Sequence, residues 1–212
     1  MSATTAPADP DDRSTFAAVF GELTGQEAVT RQLARAVASA GGHPPAGGGM
    51  THAWLFTGPP GSGRSLAARA FAAALLCQRK GCGECPSCRQ VAAGTHADVL
   101  FVRPDGLSYG VRQTRDLVLK AAAAPVCGRW RIVIFEDADR ATEQAANALL
   151  KAIEEPSLRT VWLMCAPYAD DLPTTIRSRC RLVTLMTPRT SAVADVLVRD
   201  VQPRVVVVHV VP

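Results

Sequence analysis

Aromatic side chains are scarce and scattered: six Phe, three Trp and two Tyr are spread along the 212-residue chain. A surface that stacks single-stranded bases needs aromatics gathered on one face, so a stand-alone zinc-bearing nucleic-acid module ranks last among the readings. A large charge of either sign is also missing. The net charge of +4 is too mild for a bulk basic footprint. No apolar run approaches the ~20 residues that span a bilayer. The opening stretch, "MSATTAPADPDDRSTF", lacks the apolar centre of a signal peptide. The chain therefore reads as cytoplasmic, with no membrane partner. In a reducing compartment its clustered cysteines point to metal rather than to disulfides.

What is present is enough for a core. Hydrophobic residues make up 48% of the chain, which suits one domain of ordinary size. Residues 1–17 are rich in Pro, Asp, Ser and Thr and read as a disordered tail. In "GQEAVTRQLARAVASA", Val29, Leu33 and Val37 recur every four residues, which predicts a helix. "GGHPPAGGGM" reads as a loop. "HAWLFTG" is a short apolar strand, and "SLAARAFAAALL" is a helix by propensity. "ADVLFVRPD" reads as a strand and "GVRQTRDLVLKAAAA" as a helix stopped by Pro125. "RWRIVIFEDAD" is a continuous apolar run, typical of a parallel strand buried on both faces. "TEQAANALLKAIEEP" is a helix with Thr142 as its N-cap and Pro156 past its end. "RTVWLMCA" and "RCRLVTL" are two more strands. Alternating strands and helices predict an α/β fold with a parallel sheet covered on both faces.

One missing residue raises the central question. "GPPGSGRS" (58–65) follows a strand and opens a helix, and it fits G-x-x-x-x-G-K-[ST] except that Arg64 stands in the lysine position. Such a turn aims backbone N–H groups and a helix N-terminus into one concavity, which suits phosphate oxygens. The candidate nucleotide-binding residues are Gly58, Pro59, Pro60, Gly61, Ser62, Gly63, Arg64 and Ser65, with the Ser65 hydroxyl placed for Mg²⁺. Arginine keeps the lysine's charge but is planar and bulkier, so it is no neutral exchange at a tight site. The strand end "FEDAD" presents Glu136 and Asp137 beside this loop. A hydrolysing site wants an Asp near Mg²⁺ and a Glu to orient water. Here the pair is inverted, and a solvated acidic strand end is the plainer reading.

"CQRKGCGECPSC" places Cys77, Cys82, Cys85 and Cys88 in twelve residues with two C-x-x-C steps. Four thiolates at this spacing can close a tetrahedron around Zn²⁺, a structural site with no open position for water. Free thiols or a redox pair are the alternatives. Cys77 would come from a helix end and the other three from a knuckle whose turns use Gly81, Gly83 and Pro86. Cys127, Cys165 and Cys180 are isolated and read as core thiols. "LPTTIRSRCRLVTL" carries Arg177, Arg179 and Arg181, which on their own read as solvated surface charges.

Together, "VFGELTGQEAVTRQLARAV", "HAWLFTGPPGSGRS", the four-cysteine insert, "VRQTRDLVLKAAAAPVCGRWRIVIFEDAD", "ANALLKAIEEP" and "LPTTIRSRCRL" resemble the bacterial clamp-loader AAA+ family of the DNA polymerase III holoenzyme. The resemblance covers about residues 18–187. "EDADRATEQAANALLKAIEEP" favours the rigid member of the clamp-loader ring over its motor. The resemblance implies an AAA+ P-loop NTPase-type sheet of five parallel strands with a small zinc module inserted at 77–88. It implies a ring with gamma/tau and delta subunits that places the sliding clamp on primed DNA, while polymerase chemistry belongs to another subunit. The family's Ser-Arg-Cys arginine serves the nucleotide of a neighbouring subunit, and carried over it is Arg179, acting in trans.

Three departures bear on the chain's own loop: Arg64, the Glu136–Asp137 order, and Cys165-Ala166-Pro167 where a sensor hydroxyl is expected. They imply ATP/Mg²⁺ held weakly and hydrolysed negligibly, with a catalytically active motor-type ATPase (gamma/tau-like) as the alternative. Residues 188–212 would begin a lid, but "VQPRVVVVHVVP" fits no lid. It reads as a truncated or frame-shifted end whose β-branched run would aggregate if exposed.

Overall fold

A computed structural model describes residues 18–40 and 49–187 of the chain. The expectations for the 1–17 tail, for most of the 41–50 loop and for the 188–212 end lie outside the described residues. The elements run α1 (Glu27–Ser39), β1 (Ala53–Thr57), α2 (Arg64–Leu76), α3 (Pro86–Ala92), β2 (Val99–Val102), α4 (Val111–Ala121), β3 (Arg131–Phe135), α5 (Glu143–Glu154), β4 (Thr160–Ala166), α6 (Thr174–Arg177) and β5 (Arg181–Thr184). The five strands form one sheet in the order β2-β3-β4-β1-β5, and every pairing is parallel.

The apolar runs of the strands are continuous because both sheet faces are covered. Alternation divides β1 to β4 between two cores, while β5 buries only Val183 and leaves Leu182 exposed. Trp54, Phe56, Ile132, Ile134, Val161, Leu163 and Val183 face α1 and α2. Leu55, Val133, Phe135, Trp162 and Met164 face α4, α5 and α6. The tightest aromatic contact on the first face is Trp54 edge-on to Phe71 of α2, with centroids 4.9 Å apart. The Trp54 indole N–H is satisfied by the Thr51 carbonyl at 2.9 Å. On the second face Tyr109 stacks on Phe135 at 4.0 Å.

The Thr142 cap expected for α5 is present, its hydroxyl accepting from the Ala145 N–H at 3.2 Å. Such a cap contributes ~1 kcal/mol. Two short helices, α3 and α6, carry no periodic signal long enough to read. The helix expected to run to Pro125 stops at Ala121 instead. The turn that follows Pro125 is organised by Asp98, which is completely buried. Its carboxylate accepts from the backbone N–H groups of Val126 (2.6 Å), Cys127 (2.9 Å) and Gly128 (2.5 Å). The same turn points Cys127 outward, so the expectation of a core thiol there is wrong: Cys127 is exposed. Cys165 is buried, and Cys180 is half-buried against the Ile176 carbonyl.

Burial pushes the Asp98 carboxyl up, but the three N–H donors pull harder and hold it below the ordinary range. A depressed folded value means the carboxylate contributes stability above the unfolded pKa of ~3.9 and loses it as pH falls through the folded value. Asp98→Asn is therefore expected to cost roughly 2–4 kcal/mol in urea unfolding at pH 7, because it leaves donors and Arg131 without their anion. The gap from the parent should narrow below ~pH 3.9. A variant as stable as the parent at pH 7 would remove Asp98 as the organiser of this turn.

Candidate functional site

The glycine loop leaves β1 at Thr57 and enters α2 at Arg64. Gly58 sits at φ +152°, and a side chain there would place its first carbon 2.6 Å from both the Leu185 carbonyl oxygen and the Ser62 hydroxyl. No other residue fits. Gly63, at φ +89°, caps α2 without a side chain, which leaves the helix's first N–H groups facing the concavity. The Ser62 N–H closes the turn on the Pro59 carbonyl at 3.1 Å. The Ser62 hydroxyl is buried and has no partner among the described residues.

Arg64 does not reach outward. Its terminal nitrogen donates to the carbonyl of Gly58, the first residue of the same loop. Gln26 also holds this region, and sequence reasoning missed it. Its amide donates to the Met186 carbonyl at 2.6 Å and accepts from the Met186 N–H at 3.2 Å, tying the chain after β5 to the start of α1. A single buried glutamine in a loop leaves no spacing signal.

The strand end is not a solvated acidic tip. Glu136 is only 6% exposed. Its carboxylate accepts from Arg103 at 2.7 Å and lies 3.8 Å from Arg69, whose guanidinium also stacks 4.5 Å over Phe101. Asp137 follows in a left-handed conformation, φ +48°, and is half-buried. Arg103 is found because Val102 pairs with Phe135 across β2 and β3, which sets residues 103 and 136 side by side. That pairing is invisible until the strand order is known. Where a sensor hydroxyl is expected stands Cys165. Burial, and then the Glu136 charge, push its thiol up to about 12, so it stays neutral.

The four cysteines come together. Cys77 is the C-cap of α2, Cys85 is the N-cap of α3, and Cys88 lies inside α3, a short helix rather than the open knuckle expected. Pro86 fills the first position of that helix, where a missing N–H costs nothing. The Cys77 sulfur is 3.6 Å from those of Cys82 and Cys85, and all four sulfurs lie within 4.8 Å of one another. A tetrahedron with Zn–S bonds of ~2.3 Å has sulfurs ~3.8 Å apart, so the cluster fits a closed four-thiolate shell. Backbone N–H groups of Cys85 and Glu84 pull the Cys82 thiol down to about 6. Cys77 and Cys88 are buried, and Cys82 and Cys85 are half-buried.

Arg179 stands apart from all of this. It precedes β5, whose Arg181 pairs with Trp54 near the start of β1. The glycine loop follows the end of β1, so Arg179 lies at the opposite edge of the sheet. There its guanidinium pairs with Glu154 at 2.6 Å and donates to the Thr175 carbonyl at 2.7 Å. Arg177 pairs with Asp170. The structure thus gathers 58–65 with Glu136 and Asp137 at one edge, the cysteines behind α2, and Arg179 alone at the other edge.

Comparison with known proteins gives this geometry a lineage. Residues 42–189 match the family described as DNA polymerase III, delta subunit. The chain is 42% identical over 135 residues to the delta' subunit of DNA polymerase III from Pseudomonas aeruginosa, covering 61% of this chain and 41% of that one. It is 36% identical over 180 residues to the gamma/tau subunit from Mycobacterium bovis, covering 82% of this chain and 30% of that one. The chain thus spans less than half the length of either relative. Among solved structures, a DNA polymerase III gamma subunit-related protein from Thermotoga maritima superposes with a TM-score of 0.54 at 26% identity, covering 65% of this chain and 42% of that one. No helix among the described residues is long and apolar enough to cross a membrane. With an AAA+ sheet of five parallel strands, a glycine loop and a family match across most of its length, this chain belongs to the DNA polymerase III delta-subunit family.

Proposed function

We propose that this chain is a cytoplasmic clamp-loader subunit that works through its edge arginine and not through its own glycine loop. In this reading it joins gamma/tau and delta subunits in a ring, helps set the sliding clamp on primed DNA, and presents Arg179 to ATP held by a neighbour. The observation that carries it is the placement of Arg179 at the sheet edge remote from Gly58–Ser65. A guanidinium there is permanently charged and can make paired hydrogen bonds to a phosphate across an interface.

The chain's own loop is suited to binding geometry without turnover. Arg64 is spent on the Gly58 carbonyl. Glu136 is spent on two arginines, so it is a poor orienter of water. The Cys165 thiol donates weakly where a hydroxyl would donate well. The motor-type ATPase is the second reading, favoured by the likeness to a gamma/tau subunit over 82% of this chain and by the retained glycines. The four cysteines would hold one structural Zn²⁺. The metal would fix α3 against the end of α2 and supply no chemistry to the nucleotide.

Metal analysis of the purified protein is expected to find about one zinc per chain, and Cys85→Ser to lower the unfolding temperature by several degrees. Four native thiols that all react freely with a thiol reagent would rule the metal out.

The isolated chain is expected to hydrolyse MgATP far below ~1 per second. Arg64→Lys should tighten ATP binding, since lysine is a compact cation, yet restore no turnover while Glu136 stays paired. Ordinary turnover by the parent chain would establish the motor reading instead.

In a ring assembled with active motor subunits, clamp and primed DNA, Arg179→Ala is expected to leave assembly intact. It should cut DNA-stimulated hydrolysis at the adjacent site by at least ~10-fold, toward the 10³-fold scale of such arginines. Unchanged hydrolysis in an intact ring would make Arg179 a surface ion pair.

A further inference from the structure

Glu154 is the last residue of α5, and nothing in the glycine loop needs it. Its carboxylate nonetheless meets the Arg179 guanidinium at 2.6 Å, with each side chain 39% exposed. Arg179 is held from a second side by the preceding helix α6 and its C-cap, through the Thr175 carbonyl at 2.7 Å and the Ser178 hydroxyl at 3.3 Å. The two anchors sit on different elements, α5 and α6, so together they fix the direction of the guanidinium and not only its charge state.

The support under Glu154 is rigid. Ile153, the residue before it, is completely buried, as is Leu149 one turn back to within 2%. The His52 ring nitrogen lies 2.8 Å from the Ile153 carbonyl, and since a carbonyl only accepts, His52 is the donor that finishes the helix end. At the other end of α5 the Thr142 hydroxyl donates to the Tyr109 carbonyl at 3.1 Å. A carboxylate mounted on a helix pinned at both ends is a fixed point, whereas a typical exposed ion pair joins two mobile side chains.

We infer that Glu154 is a positioning residue: it orients Arg179 for the phosphate that a neighbouring subunit presents. This rests on the proposed action of Arg179 in trans. The guanidinium has five N–H groups. Glu154, Thr175 and Ser178 draw on the two terminal nitrogens, so hydrogens remain for an incoming phosphate oxygen without breaking the hold. An arginine so held arrives already ordered, and a misplacement of ~1 Å at such a site can cost 10²-fold in rate. Glu154 itself touches no reacting atom.

The test uses the full-length protein assembled with its motor subunits on clamp and primed DNA, with ATP as the probe. Glu154→Ala is expected to lower kcat for DNA-stimulated hydrolysis by ~5-fold with KM for ATP within twofold, and Glu154→Gln, which keeps the acceptor, to retain at least half of the parent kcat. In the double variant Glu154→Ala, Arg179→Ala, the rate is expected to equal that of Arg179→Ala alone, because Glu154 acts only through Arg179. Unfolding temperatures and ring assembly, measured on the same samples, identify any variant that fails to fold, and Glu154→Gln then carries the comparison with Glu154→Asp. Full activity of Glu154→Ala while Arg179→Ala is impaired would overturn the inference and leave the trans arginine standing. Full activity of Arg179→Ala would overturn the reading beneath it. Additive losses in the double variant would also overturn the inference, since Glu154 would then act by another route.

Discussion

Parallel pairing of β1 with β4 and β5 is the constraint from which the functional geometry follows. When all strands run one way, every strand-to-helix turn falls at the carboxyl edge and every return at the amino edge. The glycine loop, Glu136 and Cys165 are gathered by the first rule. Arg179 is sent to the far side by the second. The two are thereby kept apart by the length of the strands. The sheet between them is backed by two cores, one under α1 and α2 and one under α4, α5 and α6.

The carboxyl edge is dominated by arginine. Arg69 and Arg103 meet the buried Glu136 carboxylate, and Arg64 donates to the Gly58 carbonyl. The charged groups here are paired within the chain itself. At the amino edge the balance is different. There Arg179 pairs with Glu154, both partly exposed, while Arg177 pairs with Asp170 and Arg131 lies 3.6 Å from Asp98.

Much of this was readable from the sequence, for physical reasons that can be named. Strands β1, β3 and β4 announce themselves as apolar runs because both faces are covered. Thr142 is legible as a cap because the backbone donors of a helix start need an oxygen at that place. The cysteines are legible because four thiolates need two tight turns between them. What stayed hidden depended on partners distant in sequence. Arg103 meets Glu136 only once β2 lies beside β3, and Arg69 only once α2 packs on the sheet. Gln26 ties down Met186, 160 positions away. The turn at 126–128 that leaves Cys127 exposed closes on Asp98, whose three donors no local pattern foretells. Glu154 looks like an ordinary charged helix end until α6 brings Arg179 to it.

The most direct measurement is the position of Arg179 in a nucleotide-loaded ring. A structure of the full-length protein with its motor subunits, clamp, primed DNA and a slowly hydrolysed ATP analogue would give it. The account predicts a terminal nitrogen of Arg179 within hydrogen-bond distance, ~2.7–3.2 Å, of a γ-phosphate oxygen on the adjacent subunit, with the glycine loop of this chain empty or holding nucleotide without Mg²⁺ coordinated by Asp137. An analogue seated with Mg²⁺ in the 58–65 loop of this chain, and Arg179 turned to solvent, would contradict it.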